Sequence, residues 1–129
     1  MENHPAAKIS ESEMEVMRVL WDAGRPLSIT EIRETLQARM GWESTTIKTL
    51  VQRLCNKGAL AQQKQRYFIY TPLVSREEYN EWATGDLIRR LYRGSAKNLV
   101  AALIHSDSLS QADVEELRKS FHVEGAEDA

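Results

Sequence analysis

One segment of the chain carries positively charged side chains and no negatively charged ones. Residues 44–66 contain five lysines and arginines and no aspartate or glutamate across 23 residues, although the whole chain has a net charge of −2. Ammonium and guanidinium groups donate hydrogen bonds and attract anions, so this segment is typical of a surface that binds a polyanion. A solvated charged face has the same composition, and charge alone does not separate the two interpretations. The five cations are Lys48, Arg53, Lys57, Lys64 and Arg66.

Other reactive side chains are sparse. The chain has one cysteine and three histidines, and the histidines lie far apart at positions 4, 105 and 122. A zinc site needs several such ligands at short spacing, and a catalytic site needs a nucleophile, a base or a phosphate-binding loop. The sequence shows none of these patterns, so it predicts neither an enzyme nor a metal or other cofactor. Cys55 is predicted to be a small packing residue rather than a redox sensor.

Length and hydropathy limit the class of protein. A chain of 129 residues with 42% hydrophobic and 28% charged residues is typical of one folded domain or two small ones. Its longest strictly apolar run has six residues, from Leu99 to Ile104, whereas a membrane helix needs about 20. The first residues show no basic region followed by an apolar core. We therefore expect a soluble, cytoplasmic protein that does not contact a membrane.

Two helices are predicted before the basic segment. Ser10 and Glu13, and again Ser28 and Glu31, have the spacing of a capping box, in which each side chain bonds a free amide at a helix start. A glycine follows each helix and is predicted to end it.

A third helix is predicted to begin at Glu43 or Ser44 and to end before Gly58. On a helical wheel of about 100° per residue, its apolar stripe lies opposite a face of hydroxyl and amide groups that has no carboxylate. The stripe consists of Ile47, Leu50, Val51 and Leu54, and the polar face consists of Thr45, Thr49, Gln52 and Asn56, flanked by Lys48 and Arg53.

A small hairpin is predicted after the third helix. Residues 59–64 and 67–72 favour extended structure, with Lys64 and Arg66 near the tip and a short segment around Leu27 as a third strand. Three helices followed by a hairpin are typical of a winged helix-turn-helix, in which the third helix and the hairpin wing approach DNA. The mainly α chain is therefore predicted to begin with such a domain, over residues 1–74.

The second half is predicted to form three more helices, in a domain over residues 75–123 that precedes a disordered acidic tail over 124–129. About 50 residues bury too little surface to fold well alone, so we expect this domain to pair with a second copy. The alternative is that its helices fold back onto the winged helix. The residues predicted for dimerisation are Leu87, Ile88, Leu91, Leu99, Val100, Leu103, Val114 and Leu117.

Four stretches resemble a known family, the penicillinase and methicillin-resistance repressors of the BlaI/MecI/CopY type. They are residues 9–17 (ISESEMEVM), 46–60 (TIKTLVQRLCNKGAL), 70–79 (YTPLVSREEY) and 109–117 (LSQADVEEL), so the resemblance covers nearly the whole chain. It implies a winged-helix domain joined to a three-helix dimerisation domain, in a homodimeric repressor that occupies dyad operators in promoters.

The resemblance also implies which residues contact double-stranded operator DNA. These are Thr45, Thr46, Lys48, Thr49 and Arg53 on the third helix and Lys64 and Arg66 on the wing; the helical wheel adds Gln52. The alternative function is a winged-helix protein-interaction module that binds an acidic partner and has no sequence-specific DNA binding.

Two features depart from the family pattern. The Asn-Phe pair that a sensor protease cuts in the penicillin-responsive members is replaced by Ala102-Leu103. The C-terminal Cys-x-Cys motifs of the copper-responsive members are missing from this sequence. The sequence therefore does not identify the inducer or sensor protein that would release the DNA.

Overall fold

A computed structural model describes residues 4–128, with side chains through residue 121. A short 3-10 turn at Pro5–Lys8 comes first. The sequence of helices and strands confirms the predicted winged helix-turn-helix order. In chain order the elements are α1 (Glu11–Ala23), β1 (Leu27–Ser28), α2 (Ile29–Met40), α3 (Ser44–Asn56), β2 (Leu60–Lys64), β3 (Phe68–Pro72), α4 (Arg76–Tyr92), α5 (Ala96–His105) and α6 (Gln111–Asp128).

Capping boxes begin the first two helices, as predicted. The Ser10 hydroxyl accepts a hydrogen bond from the Glu13 amide at 3.2 Å, and the Glu13 carboxylate accepts one from the Ser10 amide at 3.0 Å. Ser28 and Glu31 make the same two bonds at the start of α2, at 3.1 and 2.9 Å. α1 ends at Gly24, whose φ of 67° is a left-handed conformation that a side chain disfavours.

The three strands form one antiparallel sheet in the order β1-β3-β2, which confirms the predicted third strand. At the hairpin tip, Lys64 pairs with Phe68. The sequence places Tyr67 in the second strand, and this is wrong. Tyr67 lies in the turn, where its carbonyl accepts a hydrogen bond from the Gln65 amide at 3.1 Å. Aromatic residues favour strands, but that propensity does not mark where a strand begins.

The hydrophobic core lies between α1, α2, α3 and the sheet. All of the fully buried apolar side chains among the described residues lie between Ala6 and Val74 in the chain. Burial of this kind contributes about 25 cal/mol per Å² of apolar surface. The predicted stripe of α3 is confirmed as part of this core and consists of Ile47, Leu50, Val51 and Leu54.

A buried ion pair connects the start of α1 with the end of α3. Glu13, in the first turn of α1, is 2% exposed, and its Oε1 accepts a hydrogen bond from Lys57 Nζ at 2.6 Å. Lys57 follows the last residue of α3, and its Nζ also donates to the Lys8 carbonyl at 2.7 Å. Burial on its own raises the pKa of Glu13, but the hydrogen bonds from Lys57 and the Ser10 amide outweigh it, so that pKa lies below its usual value.

The chain divides into two compact units, of which the first ends at Thr84 and the second begins at Gly85. The sequence predicts the division earlier, between residues 74 and 75. The first unit extends further because Tyr79 and Trp82 of α4 pack against its core, with the Tyr79 ring 5.9 Å from the Trp21 ring. The division therefore falls inside α4.

The second unit consists of helices joined by short turns over its described residues. The Ser95 hydroxyl caps α5 by accepting a hydrogen bond from the Asn98 amide at 3.1 Å. α6 continues to Asp128, where the sequence predicts a disordered tail over 124–129; Ala129 lies outside the described residues. Alanine and glutamate favour helix, and one glycine costs only about 1 kcal/mol. Within residues 4–128, every helix falls short of the length and apolar character that a membrane crossing needs.

We predict that Lys57→Ala destabilises the protein by about 2–3 kcal/mol, because it leaves the buried Glu13 carboxylate without its cation. Urea denaturation monitored by circular dichroism measures this change. Arg18→Ala is the matched control, since Arg18 forms an ion pair of the same 2.6 Å length with Glu15 but is half exposed. That control should cost less than about 1 kcal/mol. Equal losses for the two variants would contradict a special role for the buried pair.

The same pair makes stability depend on pH. Because the pKa of Glu13 lies below its usual value of 4.5, the ionised carboxylate stabilises the folded state above that pH. The contribution is lost as the pH falls through the folded-state pKa. We therefore expect the stability advantage of the wild type over Glu13→Gln to be constant above pH 4.5 and to shrink below it. Urea denaturation across this range measures it, and an advantage that grows with acid would contradict the assignment.

Candidate nucleic-acid interface

α3 has one buried face and one exposed polar face. Ile47, Leu50, Val51 and Leu54 anchor it in the core, and the helix has no acidic residue in its first turn. The six α3 residues predicted to contact DNA are all exposed in the structure. They are Thr45, Thr46, Lys48, Thr49, Gln52 and Arg53.

Hydrogen bonds within α3 orient two of these side chains. The Thr49 hydroxyl donates to the Thr45 carbonyl at 2.9 Å, which leaves its oxygen able to accept and its methyl group exposed. Gln52 Nε2 donates to Asn56 Oδ1 at 3.1 Å, which leaves the Gln52 carbonyl oxygen to accept from a ligand. Asn56 therefore supports Gln52 from the next turn of the helix. The face presents acceptors as well as donors, as recognition of base edges requires.

Four cations of α3 and the wing have no acidic partner among the described residues. Within the described residues, no carboxylate lies within 4.0 Å of Lys48, Arg53, Lys64 or Arg66, and all four are exposed. Lys57, the fifth cation of the basic segment, is instead held by Glu13. The surface thus has positive charge that the described part of the chain does not neutralise. An anionic ligand would pair with these cations.

The side chains of α3 also form a shallow concave surface. It is lined by three threonines, a leucine and an arginine. The lining residues are Thr45, Thr46, Thr49, Leu50 and Arg53. The structure therefore brings four of the six predicted α3 residues together on this surface, and Lys48 and Gln52 do not line it.

The wing carries the other two predicted residues. Lys64 is the last residue of β2, and Arg66 lies in the turn. Sequence reasoning missed Tyr67 beside them, which is 58% exposed. The sequence pattern placed Tyr67 in a strand, because an aromatic residue next to Phe68 resembles the start of a strand. It therefore did not identify Tyr67 as an exposed residue of the turn.

Cys55 lies at the edge of the buried face of α3. It is half-buried and packs against the core, which confirms the predicted packing role. Burial raises the pKa of the Cys55 thiol, and a thiol of this kind is less reactive than a free one.

Comparison with known proteins identifies the family. The sequence profile described as "Penicillinase repressor" matches residues 9–122. The chain belongs to the penicillinase repressor family. The penicillinase repressor of Bacillus licheniformis is 33% identical over 111 residues, which are 85% of this chain and 86% of that protein. The methicillin resistance regulatory protein MecI of Staphylococcus aureus (strain N315) is 33% identical over 112 residues, or 86% of this chain and 90% of that protein.

A solved structure links this family to DNA. The monomeric form of Bacillus licheniformis BlaI, in complex with the blaP half-operator, is similar to this chain with a TM-score of 0.50 and 37% identity. The similarity covers 56% of this chain and 88% of that one. The repressor described here is accordingly a winged-helix, DNA-binding regulator of transcription and not an enzyme. The alternative of a protein-interaction module finds no support in these relatives.

We predict that Cys55 in the native repressor reacts with 5,5′-dithiobis(2-nitrobenzoate) about tenfold or more slowly than in the unfolded chain, because burial disfavours its thiolate. The absorbance of the released thionitrobenzoate measures the rate. The double variant Cys55→Ala/Asn56→Cys is the control, since it moves the thiol by one residue to an exposed position. Similar native rates for the wild type and this control would contradict the packing assignment.

Proposed function

We propose that the repressor binds a dyad operator as a homodimer, with α3 of each copy in a major groove and the wing on the adjacent backbone. α4, α5 and α6 hold the two copies together. The exposed face of α3 carries this proposal, because it combines hydrogen-bonding groups with cations that have no acidic partner among the described residues.

The dimensions of α3 suit a major groove. Its 13 residues span about 20 Å, and the groove is about 12 Å wide. The apolar stripe fixes one side of the helix in the core, so the opposite side is free to enter the groove. The wing follows α3 closely in the chain, since β2 begins at Leu60. This order favours contact of both elements with one duplex.

The chemistry of each side chain suggests a role on DNA. Arg53 and Lys48 can donate to phosphates or to the O6 and N7 acceptors of guanine, and Gln52 suits adenine. The threonine methyl groups suit the methyl group of thymine. Lys64 and Arg66 are proposed to contact phosphates, which position a protein without reading sequence.

The unequal burial of the two units supports the homodimer. α4 and α5 contain no fully buried residue among those the structure describes. The predicted dimerisation residues fall on α4, α5 and α6, and all of them are half-buried or exposed. These are Leu87, Ile88, Leu91, Leu99, Val100, Leu103, Val114 and Leu117.

Further apolar side chains of the second unit are open to solvent. Ile104 is 52% exposed and Phe121 is 78% exposed, although neither belongs to the predicted set. Apolar surface of this extent favours association, and a two-fold interface would bury the same side chains from both copies. Two-fold symmetry in turn matches a palindromic operator with half-sites one helical turn, or a multiple of it, apart.

We predict that Lys64→Ala weakens binding to all duplexes alike and lowers the slope of log K against log salt by about one, because it removes a phosphate contact. Arg53→Ala should weaken operator binding by about tenfold or more. Fluorescence anisotropy across a salt series measures both. Lys97→Ala, which removes an exposed cation from α5, is the control. Wild-type binding by both test variants would contradict the proposed surface, and equal weak binding to every duplex would favour the protein-interaction alternative.

We predict that Leu117→Lys converts the dimer to monomers, because it places a charge in the proposed apolar interface. The variant should bind an isolated half-site like the wild type but lose its preference for the full dyad. Analytical ultracentrifugation measures the mass. Leu73→Lys is the matched control, since Leu73 is 57% exposed and Leu117 is 56% exposed. A dimer unchanged by Leu117→Lys would contradict this interface.

A further inference from the structure

The turn of the wing exposes an aromatic side chain that does not belong to the hydrophobic core of the described residues. Tyr67 is 58% exposed and lies between β2 and β3, in a turn closed by the hydrogen bond from the Gln65 amide. Within the described residues, its phenol makes no side-chain hydrogen bond and no ring contact. The core therefore does not account for a large amphipathic ring at this position.

The neighbouring aromatic residues of the hairpin do have partners. Tyr70 is 6% exposed, and its hydroxyl accepts a hydrogen bond from Gln62 Nε2 at 2.9 Å. Phe68 lies under Lys64, whose Nζ is 5.5 Å from the centre of the ring. That contact holds Lys64 on one face of the tip. Phe68 is 41% exposed and Tyr67 is 58% exposed, so Tyr67 is the more open ring of the two and has no such partner among the described residues.

The positive charge near Tyr67 indicates an anionic ligand. Arg66 precedes Tyr67 in the turn, and the sequence has no aspartate or glutamate between Glu43 and Glu77. Tyr67 shares the tip of the wing with Lys64 and Arg66, which have no acidic partner among the described residues. A phenol in such a segment suits the DNA backbone, in which charged phosphates alternate with sugar rings. Tyrosine has an apolar ring and a polar tip suited to such a boundary.

We propose that Tyr67 packs on a deoxyribose beside the recognition groove and that its hydroxyl donates to a phosphate oxygen. This inference rests on the proposed function, because it places the wing on the same duplex as α3. Tyr67 is uncharged, so it contributes affinity without releasing counterions. Because it contacts backbone and not base edges, its contribution is the same on every sequence.

The test compares Tyr67→Ala and Tyr67→Phe with the wild type by fluorescence anisotropy. The probes are labelled duplexes tiled across the region upstream of the repressor's own gene, with one unrelated duplex of equal length. We expect Tyr67→Ala to bind every duplex about five- to tenfold more weakly with an unchanged salt slope, and Tyr67→Phe to lie between it and the wild type. Leu73→Ala is the control, since Leu73 has almost the same exposure at the other end of β3.

Different results overturn different claims. Binding by Tyr67→Ala within twofold of the wild type, or a loss matched by Leu73→Ala, overturns the role of Tyr67. A reduced salt slope also overturns it, because the effect would then come from the neighbouring cations. If the wild type binds duplexes and Arg53→Ala weakens it, the proposed function survives such a failure. If the wild type binds no duplex, both proposals fail.

Discussion

The structure depends on the packing of α3, which is anchored in the core by one face and leaves the opposite face free. Ile47, Leu50, Val51 and Leu54 fix its apolar stripe in the core, while the opposite stripe carries no group that the core needs. At its C-terminal end, Lys57 bonds the buried Glu13 of α1, so the helix is also fixed along its length. Because the backbone of the helix is already fixed in this way, binding does not have to order it, and this part of the surface is preorganised.

Apolar side chains are buried in the first unit and remain largely exposed in the second. The first unit contains the fully buried apolar residues of the described chain, and it takes in Tyr79 and Trp82 from the start of α4. The second unit keeps apolar side chains such as Val100, Leu117 and Phe121 in contact with water. Small helical units of this kind are marginal alone, and the proposed association with a second copy would stabilise this one.

Local signals made much of the fold predictable. The capping boxes at Ser10 and Ser28 and the stripe of α3 depend on residues three or four apart, so sequence spacing reveals them. The polar face of α3 was predictable for the same reason. The ion pair between Glu13 and Lys57 was not, because 44 residues separate the partners. Neither the turn position of Tyr67 nor the extent of the first unit was predictable, since each depends on strand register or on packing between distant segments.

The most direct measurement is fluorescence anisotropy of the purified full chain on duplexes that tile the region upstream of its own gene, at two salt concentrations. Sequence-specific recognition by a dimer predicts tight binding to one tile that contains a dyad, well above its neighbours and retained at the higher salt. Uniform weak binding to every tile that disappears at the higher salt would show only counterion release and would contradict specific recognition at this region.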